Sequence, residues 1–433
     1  MSFFKQWGEF MMMGARSFAK WEIENSNTIL RDRKRLIALG LLIVPIIILG
    51  VAFADEIAGA MPQFLGGKKA YSPAFYGTGI FIISILIGAM AGLITGCIGA
   101  GGGFVITPAL MSAGIKGILV VGTDLFHIFA KAIMGSVIHR KLGNVSVPLA
   151  VTFLIGSITG ATVGGYINRL IYEINPVMSD AFITVVYSIM LGFLGIYAGT
   201  DFLRARKAAG AAAEPEAGGH GGKEEGVEMG NLPKKLQSMK LPPMVKFDFD
   251  FTPGGRGISW VFLVLAGFFV GFLAAIMGVG GGFVTFPIFV YVLGVSSMTT
   301  VGTDIFQIIF TASYAAIGQY AIYGFIFYTL ATGMLLGSLL GIQVGAMVTK
   351  VVKGVTIRGF YAMAIIAGFV NRFFALPAKL QDMEVITISK TVCYVLEQIG
   401  IYAFFIIIGG FAIWVTATFF RNLRVLKGEE AKS

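Results

Sequence analysis

Long apolar runs alternate with short polar segments along most of the chain. A helix needs about 20 apolar residues to cross the ~30 Å hydrocarbon core of a bilayer, and ten runs come close to that length. These runs predict membrane-spanning helices at residues 36–54, 76–98, 117–139, 145–168, 177–203, 258–278, 297–323, 325–349, 357–376 and 397–420. The pattern therefore predicts an all-α polytopic membrane protein with about ten transmembrane helices.

Two longer polar segments interrupt this pattern. Residues 1–35 are charged and amphipathic, which predicts a helix on the cytoplasmic membrane surface. The stretch after residue 203 is rich in Ala, Gly, Glu and Lys and predicts a flexible cytoplasmic linker. The expected divisions are an N-terminal interfacial segment (1–35), an extra transmembrane helix with an external loop (36–75), a first transmembrane repeat (76–203), the linker (204–257), a second transmembrane repeat (258–376), and a last transmembrane helix with a cytoplasmic tail (377–433).

The parts on either side of the linker repeat each other. Three blocks recur in the same order, which indicates an internal duplication. They are GAGGGFVITP at 99–108 and GVGGGFVTFP at 278–287, Gly-Thr-Asp at 122–124 and 302–304, and glycines spaced four apart at 156, 160, 164 and 337, 341, 345. The glycines spaced four apart predict a flat stripe on which another helix packs closely.

The distribution of Lys and Arg predicts the orientation of the helices. Most of the 33 basic residues lie inside if both termini, the linker and the loops at 140–144 and 350–358 are cytoplasmic. Each glycine block and the apolar stretch after it must then turn back, so that the two repeats face opposite ways. Inverted repeats with broken or re-entrant helices that meet near the midplane are typical of secondary transporters. We expect a bacterial inner-membrane location with cytoplasmic termini.

The glycine blocks are the first candidate site. Backbone groups without partners cost several kcal/mol each in hydrocarbon, so a break is tolerated where it lines a cavity or meets a ligand. Glycine amides next to a helix N-terminus can bind an anion. We predict substrate binding at Gly101, Gly102, Gly103, Gly280, Gly281 and Gly282. The alternative is that these glycines only allow tight helix packing.

A polar stripe lies on the helix after the first glycine block. Asp124, His127 and Lys131 are spaced three and four apart and share one helical face. Charged groups inside membrane helices usually face a cavity or a partner. We predict that His127 and Lys131 bind substrate, with Lys131 as the counter-charge of an anion. Asp124 is either a proton carrier or a structural residue.

The second repeat carries the same stripe with fewer charges, at Asp304, Gln307 and Thr311. Gln307 is predicted to bind substrate. Asp304, like Asp124, is either a proton carrier or a structural residue. Hydroxyl groups beside the glycine blocks and the aspartates can bind an oxyanion or donate to a carbonyl of their own helix. They belong to Thr107, Thr123, Thr285 and Thr303.

Composition narrows the classes of function. The chain is 56% hydrophobic and 13% charged, and its net charge of +10 comes from basic residues at the ends of apolar runs, so its partner is the bilayer rather than a nucleic acid. Cys97 and Cys393 are far apart, and no HExxH or CxxCH motif is present. We therefore expect no cofactor, no metal and no enzyme activity, and packing for Cys97. Asn168, Arg169 and Arg372 are predicted to be interfacial anchors.

The duplicated GxGGGFxxxP blocks, each followed by GTD, resemble the TauE/SafE sulfite exporter family over residues 76–203 and 258–376. The resemblance implies an integral membrane transporter for sulfite, sulfoacetate or related sulfur-containing anions. The additional helices at 36–54 and 397–420 and the long linker depart from the family's compact plan and leave the substrate and the direction open.

These observations predict a secondary carrier that moves a small anion by alternating access, with proton coupling as one option. The alternatives are an anion channel with the same fold, or a carrier for sulfate or another small organic acid. The expected partners are the anionic substrate and the lipid bilayer, and a homodimer is left open.

Overall fold

The computed structural model describes residues 78–98, 102–141, 145–211, 231–248, 255–348, 351–352 and 354–422. The N-terminal segment and the helix predicted at 36–54 lie outside these residues, as does Gly101. The side chains of residues 133–141 are also outside the description.

Five helices form the first repeat. Proline stands in the first turn of the fourth helix and at the first residue of the fifth, where its missing N–H group costs no hydrogen bond. The helices are α1 (Thr78–Ile98), α2 (Gly103–Ser112), α3 (Gly117–Lys141), α4 (Val147–Ile174) and α5 (Pro176–Ala211).

The second repeat has the same order of long and short helices. Its first helix is capped by the Ser259 hydroxyl, which accepts from the amide of Val261. The helices are α7 (Trp260–Met277), α8 (Gly282–Pro287, continued by a π-helical turn at Ile288–Leu293), α9 (Ser297–Tyr314, continued through Ala315–Tyr320 and Ala321–Tyr323), α10 (Tyr328–Val348) and α11 (Gly354–Asp382). A further helix, α12 (Lys390–Arg421), follows.

In the described part of the stretch predicted as a linker, three small elements lie between the repeats. They are α6 (Asn231–Ser238) and two antiparallel strands, β1 (Met244–Phe247) and β2 (Arg256–Ser259), in which Val245 lies opposite Ile258. Helix α6 packs against the π-helical turn after α8. Part of the predicted linker is therefore folded onto the second repeat.

Eight described helices are long and apolar enough to cross a membrane, namely α1, α4, α5, α7, α9, α10, α11 and α12. This confirms the prediction of an all-α polytopic membrane protein. The helix predicted at 117–139 is present as the 25-residue α3. Helices α2 and α8, with ten and six residues, are too short to span a ~30 Å core. We call α2 the first arm, and α8 with its π-helical turn the second arm.

The two repeats interlock through swapped helix pairs. Helix α1 packs on α10, α4 packs on α7, and two further extensive contacts between the repeats join α3 with α9 and α5 with α11. A Cβ added to Gly160 on α4 would overlap the carbonyl of Phe268 on α7, and one added to Gly341 on α10 would overlap the carbonyl of Ala89 on α1. This confirms that the glycines spaced four apart serve close helix packing. Cys97 takes part in the same contact, because its thiol donates to the carbonyl of Gly345 at 3.4 Å.

Candidate functional site

The second glycine block breaks the polypeptide between α7 and α8. Gly278, Gly280 and Gly281 have φ angles of +76°, +63° and +85°, which residues with a side chain rarely adopt. A Cβ at Gly278 would also lie 2.7 Å from the Cα atom of Val121. Gly281 is the N-cap of the second arm, and Gly282 is its first helical residue. The predicted helix break is therefore present in the second repeat.

The two breaks meet each other. The first arm begins at Gly103 after Gly102 at its N-cap. A Cβ at Gly103 would lie 2.8 Å from the Cα atom of Val279 in the second break. The rings of Phe104 and Phe283, at the starts of the two arms, lie 6.1 Å apart between centroids. The N-termini of both arms thus lie side by side.

Backbone carbonyls and backbone amides differ in their hydrogen bonding at the second break. The phenol groups of Tyr187 and Tyr320 donate to the carbonyls of Met277 and Ala275, in the last turn of α7. In the described part of the chain, no acceptor contacts the amides of Gly280, Gly281 or Gly282. Free amides beside satisfied carbonyls favour an anion as the ligand. The two tyrosines were not singled out from the sequence, where they stand inside ordinary apolar runs.

The first polar stripe is buried and partly paired. The side chains of Asp124 and His127 are fully buried, with His127 Nδ1 3.3 Å from Asp124 Oδ1. The Thr107 hydroxyl lies 3.4 Å from Asp124 Oδ2. His127 Nε2 lies 3.0 Å from the hydroxyl oxygen of Ser338, which comes from the second repeat. The stripe therefore connects the first arm to α10.

The second polar stripe forms a continuous hydrogen-bonded chain. Gln307 Nε2 donates to Asp304 Oδ1 at 2.9 Å, and the Thr311 hydroxyl donates to Gln307 Oε1 at 2.8 Å. The hydroxyl oxygens of Thr311 and Ser157 are 2.8 Å apart. A Cβ at Gly282 would lie 3.2 Å from Asp304 Oδ2. Each aspartate thus faces the start of an arm, and each stripe ends on a serine of the opposite repeat.

Lys131 places a buried ammonium group on α3. Its Nζ atom is buried, and no partner contacts it in the described part of the chain. Ile128 lies one turn earlier on α3 and contacts the second break. A Cβ added to Gly280 would lie 2.7 Å from the Cγ2 atom of Ile128. Lys131 therefore lies about one helical turn beyond the contact between α3 and the second break. An unpaired buried ammonium is costly unless a ligand or another charge compensates it.

Three of the four predicted threonines have structural partners. The Thr123 hydroxyl donates to the carbonyl of Leu119 and accepts from the amide of Phe327 at 3.0 Å. Thr303 accepts from the amide of Ser146 at 3.0 Å. Thr285 donates to Gly281, at the start of its own arm. Thr123 and Thr303 thus tie the starts of α10 and α4 to the central helices, whereas Thr107 and Thr285 contact the aspartates of the first and second stripes.

The prediction of interfacial anchors is wrong for Asn168, Arg169 and Arg372, which are 0%, 7% and 3% exposed. Arg169 donates to both the carbonyl and the side-chain oxygen of Gln319, in the π-helical part of α9. Asn168 donates to the Tyr320 phenol at 3.1 Å. Irregular backbone leaves carbonyls without helical partners, and the buried guanidinium groups of Arg169 and Arg372 donate to such carbonyls.

Comparisons with known proteins agree with this architecture. A family model described as sulfite exporter TauE/SafE matches residues 84–372. The probable membrane transporter protein YunE of Bacillus subtilis (strain 168) is 24% identical over 285 residues, which cover 64% of this chain and 91% of that protein. The probable membrane transporter protein YjnA of the same organism is 24% identical over 262 residues, 60% of this chain and 87% of its own. No solved structure matches. The matched range contains both breaks and both stripes.

Proposed function

Because the chain belongs to the TauE/SafE sulfite exporter family, we propose that this membrane transporter carries small sulfur-containing anions, with sulfite as the first substrate to test. The transport would proceed by alternating access around the two breaks. The family assignment supports a transporter, and the geometry of the site supports an anion as its cargo. The proposed setting is a bacterial inner membrane with both termini in the cytoplasm.

The observation that carries the proposal is the buried Nζ atom of Lys131, which has no hydrogen-bond partner among the described residues. A cation inside a membrane helix normally has a partner, since an uncompensated charge is strongly destabilised there. A bound oxyanion would supply that partner. The amides of Gly280, Gly281 and Gly282, which have no acceptor within the described ranges, would donate to other oxygens of the same anion.

The aspartates suggest how such an anion could be coupled to protons. Asp124 Oδ2 and Asp304 Oδ2 face Gly103 and Gly282, at the starts of the two arms. A carboxylate there would repel an anion that approaches the same amides. A protonated aspartate removes this repulsion, so binding of the anion and uptake of a proton would favour each other.

Uptake of radiolabelled sulfite into proteoliposomes tests the proposal. We expect saturable uptake that sulfoacetate inhibits. Lys131→Met should raise the sulfite concentration for half-maximal uptake about tenfold or more, because a hydrogen bond to a charged group contributes roughly 1.5–3 kcal/mol. Lys131→Arg, which keeps the charge, is the matched control and should have a smaller effect.

Three outcomes would change the assignment. Unchanged affinity and rate in Lys131→Met would place the anion elsewhere. Ohmic flux without saturation would identify an anion channel. Saturable uptake of sulfate or of another small organic acid, without any of sulfite, would retain the carrier and change its substrate.

A further inference from the structure

The two polar stripes share a spacing but differ in how their hydrogens can be arranged. In the second stripe, the amide nitrogen of Gln307 can only donate and its oxygen can only accept. Gln307 donates to Asp304, and Thr311 donates to Gln307. Thr311 must then accept from Ser157. All hydrogen bonds in this chain run in one direction, toward the Asp304 carboxyl group.

The first stripe has a histidine at the position of Gln307, and histidine can carry its hydrogen on either ring nitrogen. When Asp124 is a carboxylate and His127 is neutral, Asp124 can only accept, so the hydrogen lies on Nδ1. His127 Nε2 then has a free lone pair and must accept from the Ser338 hydroxyl. The hydrogen bonds run toward Asp124, as they run toward Asp304 in the second stripe.

A proton added between His127 and Oδ1 of Asp124 reverses the hydrogen bond to Ser338. If the proton binds the ring, both nitrogens of His127 carry hydrogen. If it binds Oδ1 of Asp124, the oxygen 3.3 Å from Nδ1, the carboxyl O–H donates to Nδ1 and the ring hydrogen must lie on Nε2. In both cases Nε2 donates to Ser338, whose own hydrogen needs a new acceptor. The carbonyl of Leu335 lies 3.2 Å from the Ser338 hydroxyl oxygen and provides it.

Building on the proposed transport function, we propose that Asp124, His127 and Ser338 form a relay that binds one exchangeable proton, while the chain from Ser157 to Asp304 is a fixed frame. The proton comes from water on the side to which the site is open and returns to water after the site has reopened. The proton changes a contact of α10, because the Ser338 hydroxyl donates to His127 without the proton and to the carbonyl of Leu335 on α10 with it.

The surroundings of the relay contain few other charges. Among the described residues, Lys131 on the same helix acts electrostatically on both Asp124 and His127. Tyr187 of α5 acts on Asp124, and its phenol is bonded to the carbonyl of Met277. The first arm and α10 contribute the hydroxyls of Thr107 and Ser338, and the acidic group of α9, Asp304, is bonded within the second stripe.

The histidine tautomer tests the relay without any transport measurement. The chain has three histidines, so His139→Gln with His220→Gln leaves His127 as the one histidine. We would label its ring nitrogens isotopically and record their NMR shifts in lipid bilayers. At alkaline pH the hydrogen should lie on Nδ1, and on acidification Nε2 should become protonated. A ring with the same protonated nitrogen across the whole range would overturn the relay.

The two equivalent serines provide a matched pair of variants. Both are fully buried, and each ends one stripe. Ser338→Ala removes the acceptor for the Nε2 hydrogen and should move the His127 transition to lower pH by about one unit, equivalent to a tenfold loss of proton affinity. Ser157→Ala should leave the transition in place. Equal transitions in both variants would show that Ser338 has no part in the relay.

Transport separates this inference from the function on which it rests. A ring that switches in a protein without sulfite flux would support the proton site and contradict the proposed substrate. Saturable sulfite uptake with a ring that never switches would support the carrier and overturn the relay. The measurement on the protein with native Ser338 decides this even if Ser338→Ala does not fold.

Discussion

The two arms begin in matching surroundings and end in different ones. Each starts at a glycine that faces an aspartate carboxyl, Gly103 with Asp124 and Gly282 with Asp304. At the far end of the first arm, Arg372 of the membrane helix α11 donates to the carbonyl of Pro108 and to the Ser112 hydroxyl.

The end of the second arm is held by elements outside the helical bundle. Gln237 on α6 donates to the carbonyl of Leu293 at 2.8 Å, and Arg256 on β2 donates to the carbonyl of Gly294 at 3.0 Å. Asp248, after β1, accepts from the amide and the hydroxyl of Ser296. The duplication thus preserved the starts of the arms, whereas their ends are stabilised by unrelated parts of the chain.

This difference separates the contacts that both repeats share from those that are particular to one repeat. The starts of the arms meet at the centre of the molecule, where both repeats must fit one another. The ends contact different elements, and any donor that satisfies the last carbonyls serves there. The comparison predicts equal effects for changes in the shared framework and unequal effects for changes at the arm ends.

The largest effects are expected in the shared glycine contacts. Gly160→Ala and Gly341→Ala each place a Cβ against a backbone carbonyl of the partner helix. Backbone atoms cannot move aside as a side chain can, so each change should reduce the free energy of unfolding by about 3 kcal/mol. Thermal unfolding of the purified protein in detergent should show similar decreases in Tm for both variants.

Gly409→Ala on α12 is the control for this measurement, because nothing lies within 4 Å of the added Cβ. Its Tm should stay close to that of the unchanged protein. A large decrease for Gly160→Ala with none for Gly341→Ala would show that the swapped pairs α4–α7 and α1–α10 are not equivalent.

The arm ends should respond unequally. Arg372→Met leaves the carbonyl of Pro108 and the hydroxyl of Ser112 without this donor in a buried place, at a cost of about 2 kcal/mol. Arg256→Met should cost roughly 0.5–1 kcal/mol, because the Arg256 side chain is 32% exposed and water can replace it. The same Tm assay measures both, and equal decreases would contradict the comparison.

The glycine breaks and glycine stripes that both repeats share could be predicted from the sequence, because each requires particular residues at adjacent or regularly spaced positions. A backbone with positive φ angles needs glycine, so the block at 278–282 stands out. The same run of glycines recurs at 99–103. The spans were readable from length and hydropathy. The swapped pairing of α1 with α10 was not, since a glycine stripe shows that a helix packs closely without showing which helix it meets.

The contacts at the arm ends could not be predicted for the same reason. Arg372 stands where a span was expected to end, and a basic residue there looks the same whether it faces headgroups or a buried carbonyl. The folded part of the linker has no long apolar run, and its hydrogen bonds reach residues 38, 48 and 56 positions away. Tertiary contacts, rather than local pattern, determine both.

The smallest effect on stability is expected for Lys379, whose charge lies beside a hydrogen bond that Asp180 already makes. Asp180 accepts from the amide of Gly117 at 2.7 Å, at the start of α3, as Asp248 accepts from Ser296 before α9. Lys379 lies 3.8 Å from the other oxygen of Asp180, and its side chain is 27% exposed. Lys379→Met should therefore cost less than about 0.5 kcal/mol, whereas Asp180→Ala should cost about 1 kcal/mol through loss of the helix cap.

Tm values of these two variants, compared with Asp248→Ala, complete the comparison of the repeats. If Asp180 acts as a cap, Asp180→Ala and Asp248→Ala should destabilise the protein by similar amounts, and Lys379→Met should be close to neutral. If Lys379→Met instead matched Asp180→Ala, the ion pair to α11 would hold α3 in place. The starts of the two central helices, α3 and α9, would then be stabilised by different kinds of contact. The ends of the two arms already differ in this way.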